Sequence, residues 1–186
     1  MPIEPFPAIL YSLPRNSAVA VGIPLAFGMA SGLITRSSVK TWYPTLNKPP
    51  GEPPRWLFPT AWTFLYLSMG YASHLLVRAH DPAAVGSIAK AGASRAVKLY
   101  WAQFGLNMLW TPIFFGAQKP LLSLLDISLL TPLTYVLTAQ AYKVDPRTAF
   151  AFVPYCAWLS YATYLNAGVW WLNGGKDKVD EVKKDL

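Results

Sequence analysis

Few residues in this chain could do chemistry, and their spacing narrows what that chemistry would be. Asp126 is the only acid inside any of the long apolar runs. An ionisable group in such a place is a candidate proton relay or ligand partner, or else a structural acid paired with an amide or hydroxyl of a neighbouring segment. The two histidines, His74 and His80, are six residues apart, not at the one-turn spacing of paired metal ligands on a helix, so both read as interfacial. Cys156 is the only cysteine and lies in an apolar run, which excludes an intrachain disulfide and a thiolate metal site. With no second acid in these runs, no glycine-rich phosphate loop and no nucleophile and base pair, enzyme chemistry by side chains is poorly supported. What remains is a set of aromatic and amide residues at helical spacing. Gln103, Asn107, Trp110 and Phe114 share one face, as do Trp62, Tyr66, Met69 and Ser73, and Tyr155, Trp158, Ala162 and Asn166. Such stripes serve packing as readily as a ligand wall, but amides among apolar neighbours must find partners. An interior of this kind suits a flat or bulky apolar ligand with a few polar groups.

The elements that must carry these residues follow from charge. Only 13% of the chain is charged and 53% is hydrophobic, against roughly 25% charged in an ordinary soluble domain. No Lys, Arg, Asp or Glu occurs in 16–35, 56–77, 99–118 or 148–175, and 120–142 holds only Asp126. Roughly 20 apolar residues, at 1.5 Å rise each, cross a hydrocarbon core of about 30 Å. The sequence therefore predicts an all-α integral membrane protein: one domain over 1–186, a bundle of five transmembrane helices at about 17–35, 57–77, 99–117, 121–142 and 148–172, and a charged tail at 173–186. Each span contains a proline, at 24, 59, 112, 132 and 154. Pro59 fits a first turn, and the others are expected to bend their helices. Gly28 and Gly32 allow close backbone approach, inside the bundle or between protomers. The segment from Arg78 to Lys98 is more polar and reads as a loop, with Asp81 and Pro82 at a turn.

Between the first two spans lies WYPTLNKPPGEPPRWLFPTAW, residues 42–62, with five prolines between Trp42 and Trp56. Proline fixes φ before folding, so this loop is stiff and loses little entropy on ordering. It reads as a lid over a binding site or as a linker with interfacial tryptophans. The net charge of +7 is scattered among span-flanking positions without a basic stripe, which fits lipid headgroups and not nucleic acid. Summed over alternate sides, Lys and Arg number nine with the Pro-rich loop and the carboxyl terminus and seven with the amino terminus. The positive-inside rule thus favours a cytosolic loop. The start, MPIEPFPAILYSLPRN, lacks the basic beginning and short apolar core of a cleaved signal.

Four stretches carry a resemblance: WYPTLNKPPGEPPRWLFPTAWTFLYLSMGY, QFGLNMLWTPIFFGAQ, Asp126 with Ile127, and PYCAWLSYATYLNAGVWWLN. Together, from about Ser17 to Asn173, they resemble the translocator proteins, also called tryptophan-rich sensory proteins or peripheral-type benzodiazepine receptors. The resemblance implies a five-helix bundle, often dimeric, that binds protoporphyrin IX and haem as ligands, not as resident cofactors. Animal members also take cholesterol. It places Trp56, Trp62, Asn107, Trp110, Trp158, Ala162 and Leu165 at or beside the ligand, with Asp126 a further candidate. Trp62 and Trp158 match tryptophans implicated in light- and oxygen-dependent porphyrin breakdown by bacterial members, the enzyme-like alternative to a receptor or translocator. Trp42 is expected to be an interface anchor. The cholesterol motif of animal members is broken here, where Ala167 and Trp171 replace its Tyr and Arg. The implied partners are membrane lipid, a porphyrin or haem, a sterol and a second copy of the chain. The implied location is the mitochondrial outer membrane for a eukaryotic chain, which the proline-rich start favours, or a bacterial membrane for a prokaryotic one.

Overall fold

The computed structural model describes residues 6–174. A short helix α1 (Ala8–Ser12) precedes five long ones: α2 (Ser17–Thr41), α3 (Leu57–His80), α4 (Ile88–Thr111), α5 (Pro120–Val144) and α6 (Thr148–Leu172). Among the described residues there is no strand. Two of the helices, α2 and α5, are long and apolar enough to cross a membrane by length and composition. The charged end of the tail, 175–186, lies outside the described residues, as do the first five positions.

The helix boundaries follow local chemistry. Asn16 caps α2 by accepting, at Oδ1, the backbone N–H groups of Ala18 at 2.9 Å and Val19 at 3.3 Å. Ser87 does the same for α4 through the N–H of Lys90 at 3.1 Å. Pro59 sits in the first turn of α3 and Pro120 opens α5, positions where a missing N–H costs nothing. At Pro112 the helix changes character. Residues Pro112–Gly116 form a π-helical turn, closed by the N–H of Ala117 on the carbonyl of Pro112 at 2.8 Å, so the third span departs from regular α-helix at the proline expected to bend it.

Two further expectations are corrected. The segment 78–98 is not a loop: α3 runs on to His80, a turn at 81–87 includes Gly86 at φ +81°, and 88–98 is the first half of α4. Its alanines favour helix, and it buries Ala93, Ser94, Ala96 and Val97 while its Lys and Arg residues stay at the surface or edge. Trp42 is not an interface anchor. It is buried, with its ring edge-on to Phe114 at 5.5 Å.

Helix α4 packs along α5, α5 along α6 and α2 along α3, while α3 also touches α4 and α6, so the helices close into a ring. Gly70 marks the closest approach of α2 and α3, since a Cβ there would stand 2.6 Å from the carbonyl oxygen of Ala20. Gly28 likewise has no room for a side chain against the ring of Tyr66, whereas Gly32 has nothing within 4 Å. The amino-terminal segment is clasped to the far end of the bundle. Tyr11 stacks on His80 at 4.6 Å and its hydroxyl meets Ser94 Oγ at 2.7 Å. Trp101 donates to the carbonyl of Leu10 at 2.7 Å, and Arg15 grips Asp81 with two bonds of 2.8 and 3.1 Å. His74 bonds the carbonyl of Pro14 at 2.8 Å. Both histidines therefore serve packing.

Candidate functional site

Inside the ring, towards the Pro-rich loop, lies a cavity of about 600 Å³. That volume is within the range of small-molecule sites. Its walls are built helix by helix. From α3 come Phe58, Trp62 and Tyr66, recurring once per turn. From α6 come Trp158, Leu159, Ala162, Leu165, Asn166 and Val169, the same periodicity on the facing helix. Helix α4 contributes Asn107, Trp110 and Thr111, the π-turn Phe114 and Phe115, and α5 only Ile127 and Leu130. The aromatic rings interlock: Trp62 stacks on Tyr66 at 5.4 Å and stands edge-on to Trp158 at 6.4 Å, while Trp110 stacks on Phe114 at 5.0 Å.

The polar groups of the wall are held by one another. Tyr66 donates to Asn107 Oδ1 at 3.1 Å, Asn107 Nδ2 donates to the Tyr155 hydroxyl at 2.9 Å, and Tyr155 donates to Gln103 Oε1 at 3.0 Å. Trp110 Nε1 donates to Asn166 Oδ1 at 3.0 Å, and Asn166 Nδ2 to the carbonyl of Pro120 at 2.9 Å. The indole N–H of Trp158 is buried without a hydrogen-bond partner among the described residues.

At the loop end the cavity is cationic. Arg36 and Lys40, one turn apart on α2, and Arg55 ahead of α3 line it, and among the described residues no acid does. Tyr43 lines the same end, with Lys48 Nζ over its ring at 4.6 Å; burial first, then the carboxylate of Glu52, pushes its phenol above the ordinary value.

The residues singled out in the sequence separate on this geometry. Trp62, Asn107, Trp110, Trp158, Ala162 and Leu165 come together as cavity wall. Trp56 does not: it stands at the N-cap of α3, is 66% exposed and lies outside the wall, whereas its neighbour Arg55 lies in it. Asp126 does not either. It is buried on α5, but Ile127 and Leu130 are the residues that α5 turns into the cavity, and Asp126 Oδ2 has no hydrogen-bond partner among the described residues. Sequence reasoning missed Arg36 and Lys40 because it ended the first span at Thr35. Their i, i+4 spacing on a continued helix was the available signal.

The TspO/MBR family profile matches residues 20–172, which includes every wall residue named above. The chain belongs to the TspO/MBR family. Its relatives include the Translocator protein homolog of Schizosaccharomyces pombe, 37% identical over 165 residues that cover 89% of this chain and 96% of that one. The Tryptophan-rich protein TspO of Chlorobaculum tepidum is 37% identical over 157 residues, covering 84% and 94%. The Translocator protein of Homo sapiens is 37% identical over 134 residues, covering 72% and 76%. Membership makes the chain a membrane protein, in keeping with the length and composition of α2 and α5.

Proposed function

We propose that the protein is a five-span membrane receptor or translocator for porphyrins, such as protoporphyrin IX and haem, and for related apolar ligands including sterols. The observation that carries this reading is the cavity itself. It is an aromatic slot with cations at one end. A porphyrin is a flat aromatic body with carboxylates on one edge. The body would lie between Trp62, Trp110 and Trp158, with the carboxylates towards Arg36, Lys40 and Arg55. Such a ligand and the surrounding lipid are the partners the reading requires, with a second copy of the chain a further one. In a eukaryotic cell the mitochondrial outer membrane is the proposed location.

Titrating purified protein into protoporphyrin IX and following porphyrin fluorescence tests the reading. Saturable quenching is expected, and its absence would overturn the proposal. Trp62→Leu and Trp158→Leu should each weaken binding about three- to tenfold, because an aromatic contact contributes about 0.5–1.5 kcal/mol beyond its area.

A further inference from the structure

The cavity has a roof and a side, and they differ. The Pro-rich loop forms the roof end and is tied down to α6. Tyr161 donates to the carbonyl of Gly51 at 2.5 Å and Tyr164 to that of Pro50 at 3.0 Å. Asn47 and Asn173 exchange a reciprocal pair of bonds at 3.0 and 2.9 Å. Pro49 is seated so closely on Gly168 that a Cβ there would stand 2.5 Å from its ring. Tyr161, Tyr164, Gly168 and Asn173 do not line the cavity. Their contacts hold the loop rather than the contents.

Among the described residues, the side towards α2 and α3 has no comparable ties. These helices touch where Gly70 meets Ala20 and where Gly28 meets Tyr66; nearer the loop, Gly32 is exposed, lines the cavity and has nothing within 4 Å of where a Cβ would stand. Every wall residue that is exposed belongs to α2 or to the first turns and approach of α3: Met29, at 70%, with Gly32, Arg36, Pro59 and Thr63 among them. No wall residue of α4, α5 or α6 is exposed. On its other flank α2 is closed against the π-turn, where Ser38 Oγ donates to the carbonyl of Phe115 at 2.5 Å and Gly116 lies against Ile34. On the surface of α2, Leu33 and the wall residue Met29 are exposed and apolar, as a surface against lipid would be.

We infer that the ligand reaches the cavity sideways from the bilayer, through the cleft between α2 and α3, under a Pro-rich loop that is a fixed roof and not a gate. This rests on the cavity being a binding site for an apolar ligand, and it adds the chemistry of that ligand's approach. An amphipathic anion dissolved in the membrane keeps its charge at headgroup depth while its apolar body lies among the tails. Arg36 and Lys40 flank the cleft at its loop end, so the anionic group can follow the cations as the body slides in below.

The test uses the full chain reconstituted in phosphatidylcholine vesicles, with protoporphyrin IX already partitioned into the lipid and its quenching followed by stopped flow. Gly32→Trp, and Thr63→Trp from the opposite lip, should each slow association about tenfold, a diagnostic result because contact changes act mostly on release. Asn47→Cys with Asn173→Cys, in a Cys156→Ala background and oxidised to lock the roof, should associate within about twofold of its reduced form. The inference is overturned if the locked roof slows association comparably, or if both cleft variants bind at equilibrium yet associate as the natural chain does. Loss of saturable binding by the natural chain would remove the porphyrin reading and this inference with it, and the equilibrium titration separates that case from the others.

Discussion

Tyr155 is the residue on which the interior polar network turns. Fully buried on α6, its hydroxyl accepts from Asn107 and donates to Gln103, both on α4. Tyr155→Phe keeps the ring and strands two groups at once, the Nδ2 of Asn107 and the Oε1 of Gln103. Unfolding in a detergent titration should show a loss of about 1–3 kcal/mol, more than the roughly 0.6 kcal/mol typical of one interhelical bond in a membrane protein. A loss no greater than that of an exposed control such as Tyr142→Phe would show that the network is not structural. Asp126 stands in contrast, since its buried Oδ2 has no partner among the described residues and the acid is off the cavity wall. At this scale the sequence was informative about side chains whose periodicity repeats. Trp62, Trp158 and Ala162 stand on the cavity wall at the helical spacing read in the sequence, whereas Leu165 was placed beside the ligand only by the family resemblance. It was uninformative about Trp56 and Trp42, which stand at helix ends, where direction depends on how the chain leaves the helix.

Among the elements, long helices were legible where charge is absent, and α6 runs from Thr148 to Leu172. The first half of α4 was hidden for the same reason. Its lysines and arginine broke the charge-free run, although Ala93, Ala96 and Val97 pack inward. The amino-terminal clasp was hidden as well, because nothing local reveals that Arg15 will meet Asp81, 66 residues away. That pair makes a pH-dependent element. The hydrogen bond from Arg15 is the largest influence on Asp81 and holds its carboxyl below the ordinary 3.8, against an opposing effect of burial. A carboxyl depressed by folding contributes stability above its unfolded value and loses it as pH falls through the folded one. Hydrogen exchange over residues 8–16 should therefore be slow at about pH 6 and accelerate, beyond the intrinsic rate change, as pH falls to about 3. Asp81→Asn should remove that dependence, and an unchanged profile in the variant would refute the role of the pair.

For the molecule as a whole, the cavity makes stability depend on what fills it. A ligand that binds only the folded bundle stabilises it by about 2.7 kcal/mol at a hundredfold excess over Kd. Protoporphyrin IX should thus raise the thermal midpoint progressively with concentration, and Trp158→Leu should shift that curve to higher concentration without changing its form. A rise independent of concentration would point to a general effect on the detergent. The ring of helices was within reach of sequence reasoning; the unequal closure of its seams was not. Closure depends on pairs such as Pro49 with Gly168 and Ser38 with the carbonyl of Phe115, each joining segments far apart in the chain.

The chain of bonds from Tyr66 through Asn107 and Tyr155 to Gln103 also bears on what the protein lets through. A buried file of polar groups can conduct protons when every member both gives up and takes on a hydron in turn. Here two of the four members are amides, and Asn107 occupies the middle with its oxygen accepting on one side and its nitrogen donating on the other. Passing a hydron along would require that amide to become its imidic tautomer. The file therefore behaves as an insulator: it locks α3, α4 and α6 in rotational phase while offering no relay along its length.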